Sequence, residues 1–169
     1  MEPLLHFIVP FIAFTVLGVK FKKTFIASLI ALTPDLDALF HVHRSISHSI
    51  IPAFLAFIVF LFLFKNHRKI ICLALIAYLS HPFLDIFCGY TPILYPIYSK
   101  NVWVNISLNS NISSFIGLSL ELNFLTKPVI FKVFSSLDAP LFTGEGLSES
   151  IILISAFLLS RFGKLMKAH

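Results

Sequence analysis

The chain has 169 residues, 57% hydrophobic and 12% charged, with a mean hydropathy of +0.92 and a formal net charge of +5. Soluble domains carry about 25% charged residues, so half that level together with 20 Phe excludes an ordinary soluble globule. The basic residues sit in short clusters beside apolar runs, which speaks against a nucleic-acid face and for membrane topology signals.

The start, Met1 to His6, lacks the basic stretch of a secretory signal, so the first apolar segment, about Leu4–Val19, is expected to be retained. Lys20, Lys22 and Lys23 follow it. The second segment, Thr24–Thr33, is short because Pro34 should end it, which places PDLD (Pro34–Asp37) below the bilayer surface. HRSISHS (His43–Ser49) opens the third segment, His48–Phe64, with Ser45 or Ser47 as the expected helix cap. Lys65, Arg68 and Lys69 follow. The fourth segment, Ile70–Cys88, carries SHPFLD (Ser80–Asp85), and the third and fourth approach the roughly 20 residues needed to cross hydrocarbon. Cys72 and Cys88 on one helix would lie about 24 Å apart, too far to pair. Between Gly89 and Leu147, alternation over Val102–Leu108 and Leu118–Phe124 predicts two strands with one apolar face, pairing as a small antiparallel cap. Ser148 and Glu149 mark the start of the fifth segment, Ser150–Phe162, which ends among Arg161, Lys164 and Lys167.

The expected fold is an all-α membrane protein of about five transmembrane helices in one bundle. Residues 1–88 form the membrane core, 89–149 an extracytoplasmic β-containing loop, and 150–169 the last helix with a basic tail. With five crossings the three basic clusters fall on one side, which the positive-inside rule makes cytoplasmic. The acids, including Asp35, Asp37, Asp85, Glu121 and Glu149, fall on the other, as do His6, His41, His43, His48 and His81. The topology is therefore N-out and C-in in the plasma (inner) membrane, with the chemistry near the outer face.

Unpaired carboxylates are costly beside hydrocarbon, so they neutralise or find a partner. His81 and Asp85 are spaced i, i+4 and stack on one helix face, which suits two ligands of one metal or a plain His–Asp hydrogen bond. Asp35 and Asp37 either ligate directly, orient a ligand histidine from behind, or cap a turn. His48 sits at the same outer level as His81. Arg44 has the planar fork that pairs a carboxylate or grips a phosphate, His41 reads as a surface residue, and His6 alone reads as structural. Taken together, four segment ends deliver His or Asp to one membrane face. The set His6, Asp35, Asp37, His48, His81 and Asp85 fits zinc or manganese, one ion or two. Asp37, His43 and Arg44 are the catalytic candidates around it. No serine nucleophile elbow and no HExxH helix is present in the sequence.

In this order, His6, LTPDLD (Leu32–Asp37), HRSISHS and YLSHPFLD (Tyr78–Asp85), followed by Gly89, Pro92, Leu94 and Pro96, resemble the YdjM-like family of membrane-bound metal-dependent hydrolases. Ser45 and Ser47 stand where that family often has Gly and Thr. The resemblance covers roughly the first 96 residues, and the chain after Ser99 reads as a lineage-specific cap. The family is in turn similar to zinc-dependent phospholipases C and nucleases of that fold. That likeness implies that Asp35 or Asp37, His48, His81 and Asp85 hold a first ion, and His6 a second, with Asp85 bridging. Ligands for the phospholipase's remaining site have no counterpart.

The expected function is hydrolysis of a phosphoester, on a phospholipid or other lipid-linked phosphate, by metal-activated water. The rivals are a transporter or metal-permeation protein and a metal-stabilised scaffold without turnover. Membrane lipids are the expected partners and nucleic acid is not.

Overall fold

The computed structural model describes residues 3–112, 116–135 and 143–166. Glu2, Asp138 and Lys167 lie outside the described residues, and of Arg161 and Lys164 only the backbone is described. Five helices carry the five apolar segments: α1 (Pro3–Val16), α2 (Phe21–Ile30), α3 (Ile50–Leu63), α4 (Arg68–Cys88) and α5 (Gly144–Met166). Two short 3-10 helices, Thr33–Phe40 and Ile46–His48, join α2 to α3. An antiparallel hairpin, β1 (Lys100–Ile112) and β2 (Ile116–Pro128), lies between α4 and α5. The protein is thus mostly helical with one small two-stranded sheet.

Local chemistry sets the element ends. Gly18 takes φ +77°, the left-handed turn that lets Val19 donate back to the Phe14 carbonyl at 2.9 Å and closes α1. Pro34 sits in the first turn of the 3-10 helix, where its missing N–H costs nothing. α5 starts earlier than Ser148 and Glu149 suggest, because the Thr143 hydroxyl accepts the Gly146 N–H at 3.1 Å. α3 is capped by Ser49, which accepts from Ile51 N–H, and not by Ser45 or Ser47.

In the hairpin the register pairs Val104 with Phe124, Ile106 with Leu122 and Leu108 with Leu120, as the alternation predicts. Thr91 and Val102 exchange backbone bonds at 2.8 and 2.9 Å, which fixes the hairpin base to the chain leaving α4.

Burial is inverted relative to a water-soluble protein. The largest fully buried side chains are His6, His48 and His81, whereas Leu17, Phe62 and Leu63 are 77, 69 and 68% exposed. Water would penalise such an apolar exterior, and lipid does not. α1 packs on α2, α4 and α5, and α4 also meets α2 and α3. Ala27, Ala31 and Ala77 are fully buried in the core with Phe14, so α2 and α4 approach closely.

The helix containing Lys65–Cys88 is the one described helix long and apolar enough to cross a membrane. α1 and α3, at 14 residues each, rise about 21 Å against a hydrocarbon core of about 30 Å. Helix length therefore supports one crossing directly, where the sequence led us to expect five. In α1 and α2 the apolar runs are cut short by the turn at Gly18 and the 3-10 helix that begins beside Pro34.

Candidate metal centre

Four elements carry the ionisable residues to one place. α4 presents His81 and Asp85 one turn apart, α1 presents His6, the first 3-10 helix presents Asp35 and Asp37, and the second presents His48. His48 Nε2 lies 3.5 Å from Asp35 Oδ1 and 3.3 Å from Asp85 Oδ2. His81 Nε2 lies 3.4 Å from Asp35 Oδ1 and 3.8 Å from Asp85 Oδ2. These contacts are long for charge-assisted hydrogen bonds, which run at about 2.7–2.9 Å. Ligands about 2.0–2.1 Å from a tetrahedral zinc stand about 3.3–3.4 Å from one another. The four His–Asp spacings, 3.3–3.8 Å, are closer to the separation of neighbouring ligands on one ion than to that of charge-assisted hydrogen bonds. His48 Nε2, His81 Nε2 and Asp85 Oδ2 are also buried without a hydrogen-bond partner, a state normally too costly to keep. His6, His81 and Asp85 form one group able to hold a metal ion, and Asp35, His43 and His48 another. The His48–Asp85 and His81–Asp35 contacts join the two groups.

The imidazoles are held from behind. His81 Nδ1 donates to the Ala31 carbonyl at 2.7 Å, a helix-end acceptor made reachable by the alanines between α2 and α4. On the far side of the His48 ring, Nδ1 lies 3.3 Å from Asp37 Oδ2, which also accepts the Ser45 N–H at 2.8 Å and the Ser47 hydroxyl at 2.9 Å. With a proton on each Nδ1, both Nε2 lone pairs face the shared centre. The Tyr78 hydroxyl donates to the Ser47 carbonyl at 2.5 Å and ties this loop to α4. Ser49 donates to the carbonyls of Ile93 and Tyr95.

Asp85 has further company. Arg44 Nε is 3.3 Å from Oδ2 and Nη2 is 3.4 Å from Oδ1, while His6 Nε2 is 3.4 Å from Oδ1. His6 stacks on His81 with ring centroids 3.8 Å apart. Arg44 adopts φ +55°, a left-handed conformation that costs about 1–3 kcal/mol. A Cβ at Gly89 would stand 2.5 Å from Arg44 Nη1, so only glycine there leaves room for the guanidinium.

With neutral imidazoles, Asp35, Asp37 and Asp85 against Arg44 leave two negative charges, which one divalent cation balances. Burial alone would raise the Asp35 and Asp37 carboxyls, but the histidines around them, His48 with His81 at Asp35 and His43 with His48 at Asp37, hold both well below the usual range. His48 shows the counterpart effect. Burial lowers it, yet Asp35 and Asp37 push it up to about 9. Without a cation, a proton on His48 takes over part of the same neutralising role.

Of the residues singled out from sequence, His6, Asp35, His48, His81 and Asp85 form one cluster linked by contacts of 3.3–3.8 Å. Asp37 stands behind His48. His43 bridges outward, with Nδ1 3.8 Å from Asp35 and 3.6 Å from Asp37. His41 lies apart and exposed, edge-on to Phe134. Sequence reasoning missed the service of Ser45 and Ser47 to Asp37 and the Ala31 carbonyl behind His81. For the serines the signal was the alternation in HRSISHS; for Ala31 there was none.

A family model described as YdjM inner membrane protein matches residues 1–162. No curated protein and no solved structure matches the chain. The family match runs through the hairpin and into α5, which corrects the expectation that everything after Ser99 is a lineage-specific addition. That segment lacks His or Asp blocks as distinctive as those before it, so motif inspection could not reach it.

Proposed function

The chain belongs to the YdjM inner membrane protein family, and on that premise we propose that it is a membrane-embedded, metal-dependent hydrolase acting on a lipid or lipid-linked phosphoester. The observation that supports this reading best is the set of four facing donors, Asp35 Oδ1, His48 Nε2, His81 Nε2 and Asp85 Oδ2, with two negative charges to balance. Two imidazoles and two carboxylates within 3.3–3.8 Å of one another across each His–Asp pair suit a small borderline-soft ion, zinc over manganese. Bound there, the ion would supply Lewis acidity and a water acidic enough to attack at neutral pH.

The residues divide the remaining work. Asp37 fixes the His48 ring, and the Ala31 carbonyl fixes that of His81. Arg44 holds both oxygens of Asp85 and competes for them, so Asp85 is the donor able to yield a coordination position. His43, a quarter exposed and beside both Asp35 and Asp37, is placed to hold or pass a proton. The reading is of one ion, since Asp35, Asp37 and Asp85 set against Arg44 leave two negative charges, which a single divalent cation balances and a second would overfill.

The site faces outward in this reading. Lys23, Lys65, Arg68 and Lys69 gather around one cavity, the expected cytoplasmic end. His81 and Asp85 stand about 20–25 Å further along α4 from Arg68. The other helices complete a thinner span around α4, the N-terminus outside and the C-terminus inside.

A purified, zinc-loaded full chain in lipid nanodiscs should release a phosphorylated headgroup or phosphate from lipid phosphoesters. His48→Ala and Asp85→Asn should lose that release. The rival is an ion that merely braces the bundle, favoured by the closed set of four donors. Zinc-loaded protein that turns over no lipid phosphoester would decide for the brace.

A further inference from the structure

We infer that the cavity beside the donor set is a binding site for a phosphate monoester group, with Lys127 of the hairpin and Arg44 as its cations. The inference rests on the hydrolase reading for its neighbour and deepens it by naming what the substrate presents. The cavity, about 330 Å³, is lined by His43, Arg44, Tyr90, Asn101 and Lys127, with Ile130 and Phe131 as its apolar wall. That size suits a headgroup and not a whole lipid.

Charge decides the ligand class. Arg44 is neutralised by Asp85, but Lys127 has no carboxylate partner among the described residues. Its Nζ stands 4.0 Å over the Tyr90 ring, a contact that positions the ammonium without discharging it. Three of the five Arg44 N–H groups are accounted for, by Asp85 and by the Tyr90 carbonyl at 3.4 Å, which leaves donors for an anion. Since His43 and Arg44 line the cavity and contact Asp35 and Asp85 of the donor set, an anion bound here adjoins the proposed ion. The unpaired Lys127 ammonium supplies the net positive charge and the open Arg44 N–H groups supply directional donors, a combination that suits the several oxygens of a phosphate better than a single carboxylate.

The hairpin holds Lys127 in place. In β2 it lies opposite Asn101, whose side-chain amide donates to the Pro128 carbonyl at 3.3 Å. Val129 N–H donates to Ser99 at 3.1 Å, and Trp103 packs edge-on to Tyr90 at 5.2 Å. The hairpin therefore contributes a wall of the site.

The test is inorganic phosphate binding to the zinc-loaded full chain in phosphatidylcholine nanodiscs, with bound metal counted in the same samples. Lys127→Met should weaken phosphate binding about tenfold or more. Lys127→Arg should restore it to within about threefold, and Lys65→Met, at the basic end, should leave it unchanged. Metal content should be equal in all four proteins. Displacement by phosphatidic acid in the disc identifies a lipid as the source of the group, and displacement by glycerol 3-phosphate in solution identifies a soluble ester. Wild-type phosphate affinity in Lys127→Met at full metal content overturns the inference and leaves the hydrolase reading intact. Protein that takes up no zinc yet binds phosphate through Lys127 does the reverse.

Discussion

Replacing Asp37 with Asn separates the residue that orients His48 from those that would hold the ion. Asp37 Oδ2 accepts from Ser45 N–H and Ser47 Oγ and lies 3.3 Å from His48 Nδ1, on the ring edge away from Nε2. Asn keeps the volume but removes the charge, and its amide N–H₂ competes with the donors now aimed at the carboxylate. Loss of such an orienting partner costs 10–100-fold in metal affinity, or about 1.4–2.7 kcal/mol. Asp35→Asn replaces a charged donor of the ion itself with a weak neutral one and should cost more. Chelator-competition titration of zinc on wild type, Asp37→Asn and Asp35→Asn measures this directly. Asp37→Asn should still bind one ion, more weakly than wild type and more tightly than Asp35→Asn. Wild-type affinity in Asp37→Asn, or the opposite ranking of the two variants, refutes the division of roles.

Zinc affinity should rise with pH up to about 9, where His48 loses its proton, and then level off, because the ion needs the neutral imidazole. In chelator-treated protein the sign reverses. A raised histidine pKa stabilises fully below about 6.5 and ceases to do so as pH passes about 9, so Tm should fall across that window. A Tm of the metal-free protein that is flat between those limits would contradict the ion-pairing of His48 with Asp35 and Asp37. Gly89→Ala places a Cβ 2.5 Å from Arg44 Nη1 and should push the guanidinium off Asp85. Phosphate binding should drop about tenfold while zinc stays bound, and unchanged phosphate binding in the alanine variant would show that Arg44 can move aside freely.

Much of the site was legible because buried charge is conspicuous in so apolar a chain. His81 and Asp85 share a helix face by spacing alone, and the structure keeps them there. The choice between Asp35 and Asp37 was not legible. It depends on which carboxylate the 3-10 helix turns toward His81 and which toward the Ser45 amide, a difference of backbone path. The hairpin was visible from its alternation, yet the place of Lys127 over Tyr90 was not, since it follows from how the hairpin base docks on the chain after α4. Five apolar segments became five helices, but Gly18 and Pro34 end two of them early, and composition alone overstated their reach.

X-ray absorption at the zinc edge, on full-length protein purified with zinc and counted for metal, examines the coordination most directly. The expected result is one zinc per chain with nitrogen and oxygen neighbours alone at about 2.0–2.1 Å, weakened or lost in His48→Ala and His81→Ala. Protein that purifies and reconstitutes without zinc, or zinc retained unchanged in both histidine variants, contradicts it.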